Sequence, residues 1–144
     1  MRGENPTVLR RLTAGFAVLG DVQFLPRYCV LLADDLGVQR LPDLPRARRL
    51  AFLSDMDLLG EAVENACRRL DPAFRRVNLE ILGNKNPFLH AHAWPRYAWE
   101  PANVRERPVW LHPRELWNDE RTRLGPRHDA LRKAIGDEID LLRA

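Results

Sequence analysis

His90 and His92 are two of the chain's four histidines, and one residue separates them. They lie in Phe88-Leu89-His90-Ala91-His92-Ala93-Trp94, a stretch that alternates. On an extended strand successive side chains point to opposite faces, so Phe88, His90, His92 and Trp94 share one face and Leu89, Ala91 and Ala93 the other. The small apolar face suits packing beneath a helix. The opposite face sets two imidazoles side by side among aromatic rings. Imidazole changes charge near neutral pH and is also a nucleophile. Three readings fit the pair. It can be two ordinary polar residues on a half-buried strand. It can be two ligands of a metal site completed by His112 or His128 and a carboxylate. Or it can be a nucleophile beside a hydrogen-bond donor. The pair by itself does not choose among them.

The whole chain sets the frame for that choice. Its 144 residues are 45% hydrophobic and 30% charged, which fits one globular domain spanning 1–144 with room for a core. The net charge is +3, and the basic residues are almost all arginine, with lysine only at Lys85 and Lys133. No basic block is free of acidic residues, so no nucleic-acid polymer is expected as a partner. No apolar run approaches the ~20 residues that cross a membrane. The first residues lack the apolar core of a signal peptide, and a cytoplasmic protein is the expectation. Cys29 and Cys67 are too few and too far apart for a disulfide framework or a zinc ribbon; both sit in apolar patterns and read as buried free thiols.

The elements that must position the histidines follow from periodicity. Residues 1–12 form an approach whose Thr7–Leu12 portion suggests a helical turn. Gly15–Leu19 reads as a short strand closed by Gly20-Asp21, and Tyr28–Ala33 as a buried, nearly continuous apolar strand. Asp43 is a candidate helix cap, with Pro45 near the first turn. The strongest helix is Pro45–Leu70. Phe52, Met56, Leu59, Val63, Ala66, Cys67 and Leu70 recur at intervals of three and four, and Asp55, Glu61, Glu64 and Arg68 occupy the opposite face. Arg75–Leu82 reads as a strand with Asn78 and Glu80 on one side. Gly83-Asn84 and Asn86-Pro87 supply turn chemistry for a hairpin into Phe88–Trp94. Beyond Glu100 the prolines and Trp110 and Trp117 suggest an extended arm that packs its indoles on this subunit or on a partner. Pro126–Arg143 reads as a final helix with Leu131, Ile135, Ile139 and Leu142 in one stripe, weakened by Gly136.

LGNKNPFLHAHAWPRY, residues 82–97, resembles the signature of the histidine triad family of nucleotide hydrolases and transferases, His-φ-His-φ-His-φ-φ with φ apolar, often followed by Pro-Arg. Aligned on Pro95-Arg96, the third triad position falls on His92, the middle one on His90 and the first on Phe88. VNLEILGN (77–84) is similar to the strand and turn that precede the triad, with Asn78, Gly83, Asn84 and Pro87 in step. FLPRYCVLLA (24–33) is similar to the family's second strand, with Arg27 where the family has glycine. The resemblance covers about residues 13–97 and leaves 98–144 as a C-terminal extension.

The resemblance implies an α+β fold, a largely antiparallel sheet of about five strands backed by one long helix, and a homodimer that commonly joins two sheets. It implies that His90 attacks the α-phosphate of a nucleotide to form a nucleotidyl-imidazole, while His92 contacts the phosphoryl oxygens. No metal or other cofactor is implied. The nucleophilic ring must donate its other proton, and the family's main-chain acceptor survives the change at Phe88. What Phe88 removes is an imidazole near the leaving group. General acid help is worth about 10² to 10⁴ in rate, and a polyphosphate needs it less than an amine does. Dinucleoside polyphosphates are therefore the expected substrates. Asp21 is a candidate ribose contact, and Asn78, Asn84 and Phe88 are candidate lining of the nucleotide site. Arg96 is expected to point away and to serve in a structural ion pair. His112 and His128 read as surface residues. A nucleotide-binding protein without turnover and a metal site stand as the alternatives.

Overall fold

A computed structural model of the chain describes residues 8–144. Five segments extend into strands: β1 (Val8–Arg11), β2 (Gly15–Leu19), β3 (Cys29–Ala33), β4 (Phe74–Glu80) and β5 (His90–Tyr97). They form one antiparallel sheet in the order β1-β2-β3-β5-β4. Helix α1 (Arg46–Leu70) crosses one face, the short helix α2 (Arg114–Trp117) lies in the C-terminal arm, and α3 (Asp129–Arg143) closes the chain against α1 and β1. The fold class is α+β, as the sequence implies.

The fifth strand is a correction. The Thr7–Leu12 portion was expected to turn as a helix, but Val8–Arg11 pairs with β2. Leu9 is buried, whereas Arg10 and Arg11 reach outward to Asp140 and Asp34. Residues 1–7 lie outside the described residues. Alternation over so short a segment is hard to tell from a helical turn. Its pairing partner, not its own pattern, makes it a strand.

Helix α1 buries Phe52, Leu59, Val63, Ala66 and Cys67 against the sheet, as the stripe requires, while Leu70 at its last turn is exposed. Asp55 is not on a solvent face. It is buried, and its carboxylate accepts hydrogen bonds from the backbone of Thr13 (3.1 Å) and Ala14 (2.6 Å), tying the helix to the β1–β2 turn. Asp43 does not cap α1 either. It closes a 3-10 turn over Leu41–Asp43, and Pro45 occupies the cap position. In α3, Gly136 permits close approach, since a Cβ there would meet the Arg10 guanidinium at 2.9 Å.

Both faces of β5 are covered, and every one of its residues is buried. Its odd-numbered side meets α1: Leu79, which pairs with Ala93, packs on Gly60, and Tyr97 Oη lies 3.5 Å from Cys67 Sγ. Its even-numbered side, with His90, His92 and Trp94, meets the C-terminal arm. Cys29 and Cys67 are buried and free. Among the described residues no helix is long and apolar enough to cross a membrane.

Candidate functional site

His90 opens β5. Its Nδ1 lies 2.7 Å from the Phe88 carbonyl oxygen. A carbonyl only accepts, so Nδ1 carries the hydrogen and, in the neutral ring, Nε2 keeps its lone pair. The Phe88 ring stacks on the imidazole with centroids 4.5 Å apart. Phe88 thus acts on His90 twice, through its backbone and through its ring, but supplies no proton.

His92 follows on the same face, with ring centroids 4.9 Å from His90. Its Nδ1 lies 2.6 Å from Tyr28 Oη. Burial pushes the Tyr28 hydroxyl well above the ordinary phenol range, so it keeps its proton. Burial, helped by the neighbouring His90, holds His92 down at about 4, so it is neutral near pH 7. Tyr28 therefore donates to Nδ1, and the hydrogen of His92 sits on Nε2. The two imidazoles present complementary nitrogens: a lone pair on His90 and a donor on His92.

Tyr28 was not singled out from the sequence. It is placed by an unusual turn. A Cβ at Gly20 would overlap the Tyr28 ring, so only glycine lets β2 end there. Gln23 donates to the carbonyls of Gly20 and Tyr28 and accepts from Arg27 N–H. Arg27 itself has φ +78, in the left-handed region that favours glycine. The position where the resembling family has glycine thus has, in this chain, a backbone shape that favours glycine. The Arg27 side chain reaches Tyr97 Oη at 3.2 Å.

The histidines line a cavity of about 230 Å³ with the hairpin loop Leu82–Asn86 and Trp110. Gly83, at φ +90, turns that loop. Asn84 is part of the lining, as expected, and so is Lys85, the only lysine near the pair and a cation the sequence reading passed over. Trp110 comes from the arm. Its ring packs edge-on against His92 at 5.0 Å and stacks on Trp117, and its indole N–H donates to Glu80. The arm therefore folds back on its own subunit.

Arg96 fastens the arm. It was expected to point away from the histidine face, but alternation continues through Pro95 and keeps it there. It is buried and does form the expected ion pair, with Glu100 at 2.9 Å. It also donates to Asn78 Oδ1 (2.9 Å) and to the arm carbonyls of Arg107 (2.7 Å) and Val104 (3.1 Å). Glu100 in turn accepts from Tyr97 N–H at 2.6 Å. His112 is a second correction: it is buried, not at the surface. Its Nδ1 donates to Val109 O at 2.9 Å, and its Nε2 lies 2.9 Å from Glu100 Oε1 without the alignment of a hydrogen bond.

The structure brings together His90, His92 and Asn84. It does not bring Asp21 to the cavity. That residue is exposed in the turn after β2, where its carbonyl accepts from Leu124 N–H. Asn78 stands opposite Trp94 and is engaged by Arg96, lining the neighbouring groove rather than the histidine cavity. His128 accepts from Gly125 N–H in its own turn. Among the described residues no three His, Cys, Asp or Glu side chains gather as metal ligands would, so neither His112 nor His128 completes a site with the pair.

No protein-family model matches the chain, and no curated protein matches it. Solved structures do. A histidine triad protein from Marinobacter aquaeolei VT8 is 20% identical, with 94% of this chain and 89% of that one covered and a TM-score of 0.73. Another, from Bradyrhizobium japonicum, is 18% identical, with coverages of 92% and 89% and a TM-score of 0.72. A hypothetical histidine triad nucleotide-binding protein from Sulfolobus tokodaii is 13% identical, with coverages of 95% and 85% and a TM-score of 0.66. This chain has the histidine triad fold. Within that fold the coverage extends well past the motif, so the arm and α3 belong to the shared architecture. On the histidine triad scaffold, β5 carries the motif between β3 and β4, where both neighbours can reach it.

Proposed function

We propose that this chain is a nucleotide hydrolase or nucleotidyl transferase working at the α-phosphate through a covalent intermediate on His90. One observation carries the reading: two imidazoles line one cavity, with the His90 Nδ1 hydrogen held by the Phe88 carbonyl and the His92 Nδ1 lone pair held by the Tyr28 hydroxyl. His90 Nε2 attacks the α-phosphorus. The bond from phosphorus to the bridging oxygen of the leaving group breaks, and the leaving phosphate departs with that electron pair. His92 Nε2–H, already aimed, donates to a phosphoryl oxygen as charge spreads over it. Water or another acceptor hydroxyl then attacks the phosphorus, the P–N bond breaks, His90 recovers its lone pair, and the proton of the attacking group is released.

Phosphate esters and anhydrides suit this arrangement better than phosphoramidates. Phe88 offers the leaving group no proton, and Lys85 offers a cation. Dinucleoside polyphosphates are the favoured class. A nucleotide-binding protein without turnover is the second reading, favoured by the same Phe88. The resemblance further carries a homodimer.

The test is a product assay on dinucleoside polyphosphates and adenosine phosphoramidates with the wild type and His90→Asn. We expect turnover of polyphosphates that the substitution abolishes. A phosphoramidate turned over faster than every polyphosphate sinks the substrate preference. Nucleotide bound by both proteins without product establishes the second reading.

A further inference from the structure

His112 is a buried ionisable group that the mechanism above leaves unused. It follows the 3-10 turn Val109–Leu111 of the arm, with the Phe24 ring from the turn after β2 at 5.5 Å and Trp117 from α2 donating its indole N–H to the His112 carbonyl. Its one acidic partner among the described residues is Glu100, and Arg96 from β5 holds the same carboxylate oxygen at 2.9 Å. The side chains of Glu100 and His112 are each 1% exposed, so water hardly screens the charges that meet here.

The hydrogens at this contact can be counted. A guanidinium is always charged. Arg96 donates to Glu100 through Nε and Nη2 at 2.9 to 3.1 Å, and Tyr97 N–H donates to Oε2 at 2.6 Å. Each of these neighbours is a donor, so Glu100 is an acceptor and carries no hydrogen of its own. His112 Nδ1 faces the Val109 carbonyl, which only accepts, so Nδ1 carries a hydrogen. A neutral ring would then set the bare Nε2 2.9 Å from a bare carboxylate oxygen. Two acceptors pressed together away from water repel. A second hydrogen on Nε2 makes the contact an ion pair, which does not need the alignment of a hydrogen bond. Arg96 also donates to Asn78 Oδ1 and to the carbonyls of Val104, Arg105 and Arg107, which leaves part of the Glu100 charge for a second cation.

Two residues before His112, Trp110 lines the histidine cavity, edge-on to His92 at 5.0 Å. Arg96 grips the arm ahead of Trp110, through those three carbonyls, and His112 grips it behind. A guanidinium does not titrate in ordinary buffers, whereas an imidazolium does. We propose that His112 is a proton-operated latch: charged, it pins the arm to Glu100 and holds Trp110 against His92, and on losing its Nε2 proton it releases that turn and opens the cavity. It is a positioning residue that acts through Trp110. The arm is closed on the low-pH side and loosens as pH rises. The latch holds whatever the cavity binds; only a change in turnover with it rests on the nucleotide reading.

The test is nuclear magnetic resonance of the ligand-free full chain, labelled with nitrogen-15 and titrated upward from mildly acidic to mildly alkaline pH. The imidazole nitrogens report whether His112 carries one proton or two, and the Trp110 indole N–H reports the arm. His112→Gln and Trp110→Phe assign the two signals. We expect the Trp110 signal to hold one position while His112 is doubly protonated and to shift over the same pH interval in which the ring becomes neutral. In His112→Gln, whose amide can donate to Glu100 but cannot titrate, we expect the Trp110 signal to stay in place. A Trp110 signal that stays fixed while the wild-type ring loses its proton overturns the latch, as does a ring that is neutral throughout or charged throughout. A Trp110 signal that shifts equally in His112→Gln also overturns it, since His90 or another neighbour then moves the indole. Should that variant fail to fold, the two wild-type titrations decide alone. No turnover is measured, so failure of the nucleotide reading leaves these outcomes unchanged.

Discussion

The Tyr28 hydroxyl decides what His92 can do. Without it, the imidazole proton could occupy either nitrogen, and half of the ring's states would present a lone pair to a phosphate oxygen. Tyr28→Phe keeps the ring that stacks on Trp94, with centroids 3.4 Å apart, and removes only the donor. A buried Nδ1 is then left unpaired, which costs about 1–3 kcal/mol of stability. We expect kcat to fall by about tenfold, a barrier increase of roughly 1.4 kcal/mol, with KM changed less, because the His92 donor matters most as charge develops. Steady-state kinetics beside a denaturant melt checks both halves; a KM change alone would make Tyr28 a binding residue only. At this scale the sequence was informative where a contact is local. The bond from His90 Nδ1 to the Phe88 carbonyl spans two residues, and the motif implied it. Tyr28 meets His92 across 64 residues, and nothing near either one announces the other. Arg27 shows the converse. Its identity departs from the family's glycine, and its φ of +78 lies where glycine is favoured.

Strand β5 and the arm behave as a unit because Arg96 joins them. Arg96→Met keeps much of the volume and leaves the buried Glu100 without its partner. Breaking a buried pair in this way costs about 3–5 kcal/mol. We expect a lower midpoint in urea, and a change in tryptophan emission at lower denaturant than the loss of helical signal, since the arm carries Trp110 and Trp117. Coincident transitions would show that the arm and sheet unfold together even without the link. Long elements were legible in the sequence. The stripe of α1 spans many turns, and the hairpin between β4 and β5 is marked by Gly83-Asn84 and Asn86-Pro87. Short or irregular ones were not. Strand β1 has four residues and takes its identity from β2. The buried positions of Asp55 and His112 depend on backbone groups and an arm that no periodicity describes.

For the molecule as a whole, the depressed His92 ties stability to pH. An unfolded histidine takes up its proton near 6.5, whereas folded His92 resists until about 4. Between those values the unfolded chain binds the extra proton, so this residue makes stability fall as pH drops from about 6.5 toward about 4, and its contribution levels off below. Thermal melts across that range should show the decline, and His92→Asn should flatten part of it. An identical slope in the variant would assign the decline to other groups. Catalysis through His92 should meanwhile hold its donor state down to about pH 5, since a neutral ring keeps the Tyr28 hydrogen bond.

The candidate site is drawn from three distant parts of the chain: the turn that presents Tyr28, the hairpin that presents His90 and His92, and the arm that presents Trp110. The shortest contiguous fragment that contains all three runs from Tyr28 to Trp110, more than half of the chain. Contacts of such long sequence separation tend to form late in folding, because the loops they close are long. Recovery of the proposed activity during refolding is therefore expected to be a clock for completion of the fold. It should lag the return of helical signal, and a ribosome-bound chain that has not yet exposed its arm would carry both histidines and still have no working pocket.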